Sequence, residues 1–282
     1  RHNHAAMNAP GFATTKIQPP RARSARIARP ALDAALGQAL RLRRLVLLLA
    51  PAGFGKTSAL AAQIEALGAG TALAWLSLDE EDDASRLFAG LAAALEPLDL
   101  PWRSAPAALA AQLGEQVEQG GSPREPVAEL VNALAAAGVA HGVIVLDDLH
   151  RVESPGVDAF LGELIERLPA TWTVVISSRV APRLALARWR AAGELAEFTQ
   201  DDLRFSADEA RALVLADPAD QTAELAARLP ELVERTQGWP AGLRLCLAAL
   251  RGRAPGAALQ GGRHAAVDRS LFDYLASEVL DE

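Results

Sequence analysis

Eight residues constrain this chain more than any other feature: Ala50-Pro51-Ala52-Gly53-Phe54-Gly55-Lys56-Thr57. A continuous apolar run, residues 45–50, leads into them, and a helical pattern, residues 58–67, follows and is closed by Gly68. An unbroken apolar run ending in Pro and Gly reads as a strand buried on both faces. A glycine-rich turn from such a strand into a helix, ending in Lys-Thr, is the setting a phosphate loop requires. Its glycines let successive backbone N–H groups turn inward around phosphate oxygens. The helix start adds partial positive charge. Lys56 reaches the β- and γ-phosphates as a mobile point charge, and Thr57 offers a hydroxyl to Mg²⁺. The candidate phosphate contacts are Ala52, Gly53, Phe54, Gly55, Lys56, Thr57 and Ser58. The usual pattern begins with Gly where this chain has Ala50, at a strand end that can accept a small side chain.

The rest of the chain supplies a sheet for that loop. Strand patterns at 71–78, 142–146, 173–177 and 195–198 alternate with helical patterns at 84–95, 127–137, 157–168 and 183–192. Apolar strands alternating with helices predict an α/β fold, a parallel sheet with helices on both faces. Pro97, Pro101, Pro106, Pro123 and Pro126 break the stretch 96–126, which reads as a partly helical insertion. After residue 205 the strand patterns stop. Ser206-Ala-Asp-Glu209 is a capping-box signature, and helical patterns continue to about residue 250, interrupted at Pro218, Pro230 and Pro240. The expected organisation is a flexible arm at 1–26, a nucleotide-binding domain at 27–205, an all-helical subdomain at 206–251, a Gly/Ala-rich linker at 252–269, and the start of a further domain at 270–282.

Two further signals bear on the chemistry. Val143-Ile-Val-Leu146 ends in Asp147-Asp148, some 90 residues after the loop. A strand with Asp at its C-terminal tip beside a phosphate loop places Asp147 at Mg²⁺ through water, and the next carboxylate, Asp148, can orient and deprotonate an attacking water. Read alone, such a pair also caps ordinary strand-to-loop turns. His150, just beyond, reads more readily as a structural loop histidine than as a phosphate sensor. Ile176-Ser177-Ser178-Arg179 marks the tip of the fourth strand. In a phosphate-loop sheet that strand lies between the first and third, so Arg179 either reports the γ-phosphate or is a surface arginine. Pro240, in Gln237-Gly238-Trp239-Pro240, is on residue grounds a helix breaker that could pack on a base.

Composition excludes several alternatives. The net charge of −7 argues against a nucleic-acid coat or a polybasic membrane binder. One cysteine excludes a disulfide scaffold and a cysteine zinc site. The longest apolar stretches, 45–54 and 133–146, contain Pro51 and His141 and fall short of the roughly 18 apolar residues that span a bilayer. No apolar signal core opens the chain, so the expected location is the cytoplasm. Residue 1 is Arg and Met7 is the single methionine, so the chain is expected to be a portion of a longer protein. Of 28 basic residues only Lys16 and Lys56 are lysines. The loop explains Lys56, because a compact ammonium fits between phosphates where a planar guanidinium does not; Lys16 has no role at this point.

The order of the motifs resembles a known family. Thr15-Lys-Ile-Gln-Pro-Pro20, Ile27-Ala-Arg29-Pro30, the loop at 50–57, Trp75-Leu-Ser-Leu-Asp79, Asp147-Asp-Leu-His150, Ser178-Arg179, Gly238-Trp-Pro240 and the segment from Asp273 to Asp281 fall in the sequence of the signal-transduction ATPases of the STAND class, typified by the MalT-like, large ATP-binding LuxR-type transcriptional regulators. The resemblance covers about residues 15–282. It implies a switch held by ATP or ADP with Mg²⁺, self-association in the ATP form, a winged-helix domain beginning near residue 270, and DNA contact only through a C-terminal helix-turn-helix outside this chain, with no membrane partner. It places Arg29 near the adenine-ribose end, Arg179 as sensor arginine and Pro240 near the base. The catalytic candidates are thus Asp148, Lys56 and Arg179, and the metal candidates Thr57 and Asp147. Two rival readings are a conventional phosphate-loop motor or phosphotransferase, and a nucleotide-binding scaffold that does not hydrolyse.

Overall fold

The computed structural model describes residues 13–21, 27–68, 70–217 and 220–251. The expected linker at 252–269 and domain start at 270–282 lie outside the described residues. The chain opens with a 3-10 turn at Thr14–Ile17, followed by α1 (Pro30–Leu42), β1 (Leu45–Leu49), α2 (Lys56–Leu67), β2 (Ala72–Ser77), α3 (Ala84–Ala94), α4 (Pro106–Glu118), α5 (Arg124–Ala136) and β3 (Gly142–Asp147). It continues with α6 (Pro155–Arg167), β4 (Trp172–Ser178), α7 (Leu186–Ala191), β5 (Leu195–Thr199), α8 (Gln200–Leu203), α9 (Ala207–Leu215), α10 (Ala223–Thr236) and α11 (Pro240–Arg251).

The five strands form one parallel sheet in the order β2-β3-β4-β1-β5. The fourth strand lies between the first and the third, as expected of a phosphate-loop sheet. Because β1 and β4 each have a strand on either side and both faces covered, β1 is buried along all but its last residue and β4 along its whole length. Period two then divides the side chains. Leu45, Leu47, Leu76, Ile144, Leu146, Val174 and Ile176 pack with Leu87, Phe88, Leu113, Leu130 and Phe160 from α3–α6. Val46, Leu48, Trp75, Val143, Val145 and Val175 pack with Leu36 and Leu40 of α1 and Leu60 of α2. A third cluster joins Phe205, Leu213, Leu229, Leu243 and Cys246 of the helical region with Ile27 from ahead of α1.

Several boundaries differ from the sequence pattern for local reasons. The helix after the loop begins at Lys56, not Ser58, because Gly55 sits in the left-handed region (φ 80°) and its carbonyl already accepts from Ala59 at 2.9 Å. The proline-rich stretch contains a full helix, α4, with Pro106 at its first turn where a missing N–H costs nothing. The expected helix at 183–192 shortens to α7, behind a turn at 182–186. One-turn α8 carries a capping box in which Thr199 and Asp202 bond each other's backbone amides. Within the stretch expected as an arm, Ile17 lies against the first cluster and the Lys16 side chain is mostly buried.

Candidate functional site

The loop 50–55 carries β1 into α2 at the C-terminal edge of the sheet. Gly53 and Gly55 have φ of 75° and 80°, a region open to glycine at little cost. Nothing lies within 4 Å of where a Cβ on Gly55 would project, so the turn is an open cradle. Lys56 is buried, and its ammonium donates to the carbonyls of Ala50 at 2.7 Å and Pro51 at 3.2 Å, folded back over the cradle.

Beside it stands a polar triad that joins the tips of β3 and β4 to α2. Thr57 Oγ1 donates to Asp147 Oδ1 at 3.1 Å, and Ser177 Oγ makes a very short bond to the same oxygen. Ser177 in turn accepts from the amide of Asp148 at 3.2 Å. Burial pushes the Asp147 carboxyl up from its usual range and the nearby Asp148 charge adds to this, while the Ser177 and Thr57 bonds and the charge of Lys56 oppose it. A buried carboxylate in this condition, next to a threonine hydroxyl, suits a hard cation. Among the described residues no group of three or more acidic, His or Cys side chains could cage a metal. Mg²⁺ does not need one, since it is commonly held by one or two protein oxygens together with phosphates and waters. The donor set therefore fits Mg²⁺ delivered with a nucleotide.

Asp148 occupies the left-handed region (φ 59°), uncommon for a residue other than glycine, which turns the chain sharply after β3. Its carboxylate is partly exposed, and His150 Nδ1 lies 4.0 Å from its Oδ1. That nitrogen is buried and without a hydrogen-bond partner among the described residues. Burial pulls His150 below its ordinary value; Asp148 opposes this, and the charges of Arg179, Lys56 and Arg151 reinforce it. Lys56, Asp147, Asp148, His150 and Arg179 thus share one electrostatic neighbourhood, although Arg179 and Asp148 lie far apart in sequence.

Arg29 and Pro240 fall elsewhere. Both line a cavity of about 720 Å³ together with Phe54, Gly55, Thr57 and Ser58. Arg29 is held by its own chain: Nε pairs with Glu209 Oε1 at 3.2 Å, Nη2 donates to the Arg204 carbonyl at 2.7 Å, and the guanidinium lies 5.0 Å from the Phe205 ring centre. Pro240 opens α11, where proline is pre-organised.

The residue that sequence reasoning passed over is Trp239. Its indole Nε1 donates to the carbonyl of Ala52 at 3.1 Å, and its ring lies 6.5 Å from Phe54. The amide of Ala241 donates to the Gly53 carbonyl at 3.0 Å. The helical region therefore bonds the phosphate loop directly. The only signal in the sequence was the Gly238-Trp239-Pro240 segment itself. Ser177 was likewise visible only as a neighbour of Arg179.

The parallel sheet with its strand-loop-helix cradle defines a phosphate-loop nucleoside-triphosphatase fold. The Walker-type ATPase of Pyrococcus abyssi shares it, with a TM-score of 0.54 and 16% identity, covering 90% of this chain and 75% of that one. No family model matches the chain. Among curated proteins, the serine/threonine-protein kinase PknK of Mycobacterium tuberculosis is 33% identical over 242 residues, 85% of this chain, and PknK of Mycobacterium bovis matches to the same extent. That match covers 21% of those proteins, so the chain spans about a fifth of the length of the curated relatives it matches. Among the described residues no helix is long and apolar enough to cross a membrane.

Proposed function

We propose that this chain is the ATP-binding, slowly hydrolysing switch module of a larger regulator, of the MalT-like, LuxR-type class that its motifs resemble. The observation that carries this reading is the pair of hydrogen bonds from the helical region to the loop, Trp239 to Ala52 and Ala241 to Gly53. A phosphate site gripped by a second structural unit is suited to convert nucleotide state into a change of arrangement, and no acceptor-substrate motif accompanies it. The kinase activity in the relatives' name is not carried over. Protein kinases cover the phosphates with a G-x-G-x-x-G loop and take their lysine from a strand, whereas Lys56 opens a helix.

In this reading the loop amides and the start of α2 hold the phosphates, and Lys56 leaves the Ala50 and Pro51 carbonyls to meet them. Thr57, and Asp147 through water, would hold Mg²⁺, which when bound supplies positive charge to the phosphate oxygens. Asp148 accepts a proton from the attacking water, and Arg179 registers the γ-phosphate from the tip of β4. Arg29, Phe54, Ser58 and Pro240 bound the remainder of the nucleotide. Self-association in the ATP form and control of transcription belong to the proposal, with DNA contact falling to parts of the protein other than this chain.

The test is ATP and ADP affinity of the purified protein and of Lys56→Ala, with turnover and sedimentation in each nucleotide. The expected result is loss of binding in the variant, turnover below about 1 s⁻¹, slower than typical kinases, and a larger assembly with ATP. Equal affinity in both proteins overturns the reading, and turnover in the kinase range favours a conventional ATPase.

A further inference from the structure

Lys16, one of two lysines in the chain, has no part in the site described so far. Its ammonium lies 2.8 Å from Asp79 Oδ2 and 2.7 Å from Asp82 Oδ2. The Lys16 side chain is 13% exposed and that of Asp82 3%. The same Asp82 oxygen accepts from the Asp79 amide at 2.8 Å, so the loop that follows β2 is folded around the lysine. Such an arrangement is costly to lose: removing the cation leaves two carboxylates facing each other, one of them buried without its partner.

Three residues further on, Pro19, Pro20 and Arg21 line the same cavity as Phe54, Gly55, Thr57 and Pro240. Little freedom separates the two features. Residues Thr14–Ile17 form a 3-10 turn, Gln18 is extended and donates its amide back to Thr15 at 3.4 Å, and Ile17 packs on the core. The two proline rings then fix φ. A stiff segment anchored at one point has its other end placed by that anchor. The γ-phosphate candidates Asp148 and Arg179 do not line this cavity, whose walls run down α2 through Ala61, Ala62 and Glu65. It therefore receives the part of a nucleotide that ATP and ADP share.

We infer that Lys16 is a positioning residue for the nucleotide, pinning the segment 13–21 to the loop after β2 so that Pro19, Pro20 and Arg21 form a fixed wall of the cavity. This rests on the nucleotide-binding reading above. The loop 79–82 also touches the turn after Asp148, through Arg151 Nη2 and Glu80 Oε1 at 3.1 Å. Action by that route would alter hydrolysis and leave the wall untouched, so the two routes separate by measurement.

The experiment measures the affinity of a fluorescent ADP and of ATP, together with single-turnover hydrolysis, for the wild type, Lys16→Met, Lys16→Arg, Pro20→Gly and the Lys16→Met/Pro20→Gly pair. Lys16→Met is expected to weaken ATP and ADP by the same factor, about tenfold, with the hydrolysis rate of bound ATP moving less than twofold. Lys16→Arg is expected to restore most of the affinity. Pro20, which is exposed, can be changed without touching the core; Pro20→Gly is expected to weaken binding on its own, yet to add less than twofold in the Lys16→Met background. Unchanged affinity in Pro20→Gly overturns the inference even if Lys16→Met does not fold. A fall in hydrolysis at unchanged affinity, or full additivity in the pair, also overturns it. If the wild type binds no nucleotide, the nucleotide reading itself fails, a different outcome from wild-type binding that the variants leave intact.

Discussion

The indole N–H of Trp239 donates to the carbonyl of Ala52, 187 residues earlier in the chain, at 3.1 Å. This bond, with the Phe54–Trp239 ring contact, joins the helical region to the phosphate loop. Trp239→Phe removes the donor and keeps an aromatic, though smaller, ring. A typical net hydrogen bond contributes about 1 kcal/mol, so nucleotide affinity is expected to fall about fivefold. Isothermal titration with ADP checks this; an unchanged Kd means the bond does not bear on the loop.

Gly238, next to that tryptophan, has φ 70°, and a Cβ there would lie 2.6 Å from the Phe205 carbonyl oxygen. Gly120 has the same φ with nothing within 4 Å. A non-glycine residue in the left-handed region costs about 1–2 kcal/mol. Gly120→Ala is expected to cost about that much, and Gly238→Ala at least about 1 kcal/mol more, since the backbone oxygen it meets cannot swing away. Urea unfolding of the two variants compares them directly, and equal midpoints contradict the expectation.

Asp148→Asn tests the proposed base without disturbing its turn, because Asn tolerates the left-handed conformation that Asp148 adopts. General-base contributions run to about 10²–10⁴-fold. ATP hydrolysis is expected to drop by at least about 10²-fold while ATP affinity stays within about threefold. A variant hydrolysing at the wild-type rate removes Asp148 from the chemistry.

The Lys16 anchor also makes a pH prediction. Burial pushes the Asp79 carboxyl up, but the Lys16 bond, the Glu81 amide and the charges of Lys16 and Arg151 together hold it below its ordinary value of 3.8. A carboxyl depressed in the folded state gives stability that is present above the unfolded value and lost as pH falls through the folded one. Acid below about pH 4 should therefore weaken the wild type by an increment that Lys16→Met lacks. The increment is small, a few tenths of a kcal/mol, because Asp79 is partly exposed. Thermal melts from pH 6 to pH 3 on both proteins read it as a difference in slope.

The phosphate loop and Asp147 at a strand tip were legible because each is written in a few contiguous residues with a fixed period or spacing, and the order of β1, β3 and β4 followed from the sheet that such a loop implies. The contacts that close the site were not. Lys16 and Asp79 are 63 residues apart, Arg29 and Glu209 180, and no local pattern joins either pair. Arg29 illustrates this: it lines the cavity beside the loop, and its guanidinium meets Glu209, the Arg204 carbonyl and the Phe205 ring, partners that no spacing could reveal. The α8 capping box failed for another reason. Thr199 and Asp202 carry the signature, but a single turn is too short for any apolar period to reveal.

The carbonyls of Ala52 and Gly53 both point at the helical region, and the chain has no cis peptide bond among the described residues. In a trans peptide the N–H points opposite to its C=O, so the amides of Gly53 and Phe54 face the other way. Two peptide groups are thereby shared between opposite sides of the loop. An anion drawing on those amides polarises the same peptide units and strengthens what their carbonyls accept. By linkage, docking of Trp239 and Ala241 strengthens the hold on the anion by an equal factor. In the proposed nucleotide-binding reading the loop is in this sense a relay made of backbone dipoles, through which one side feels the other.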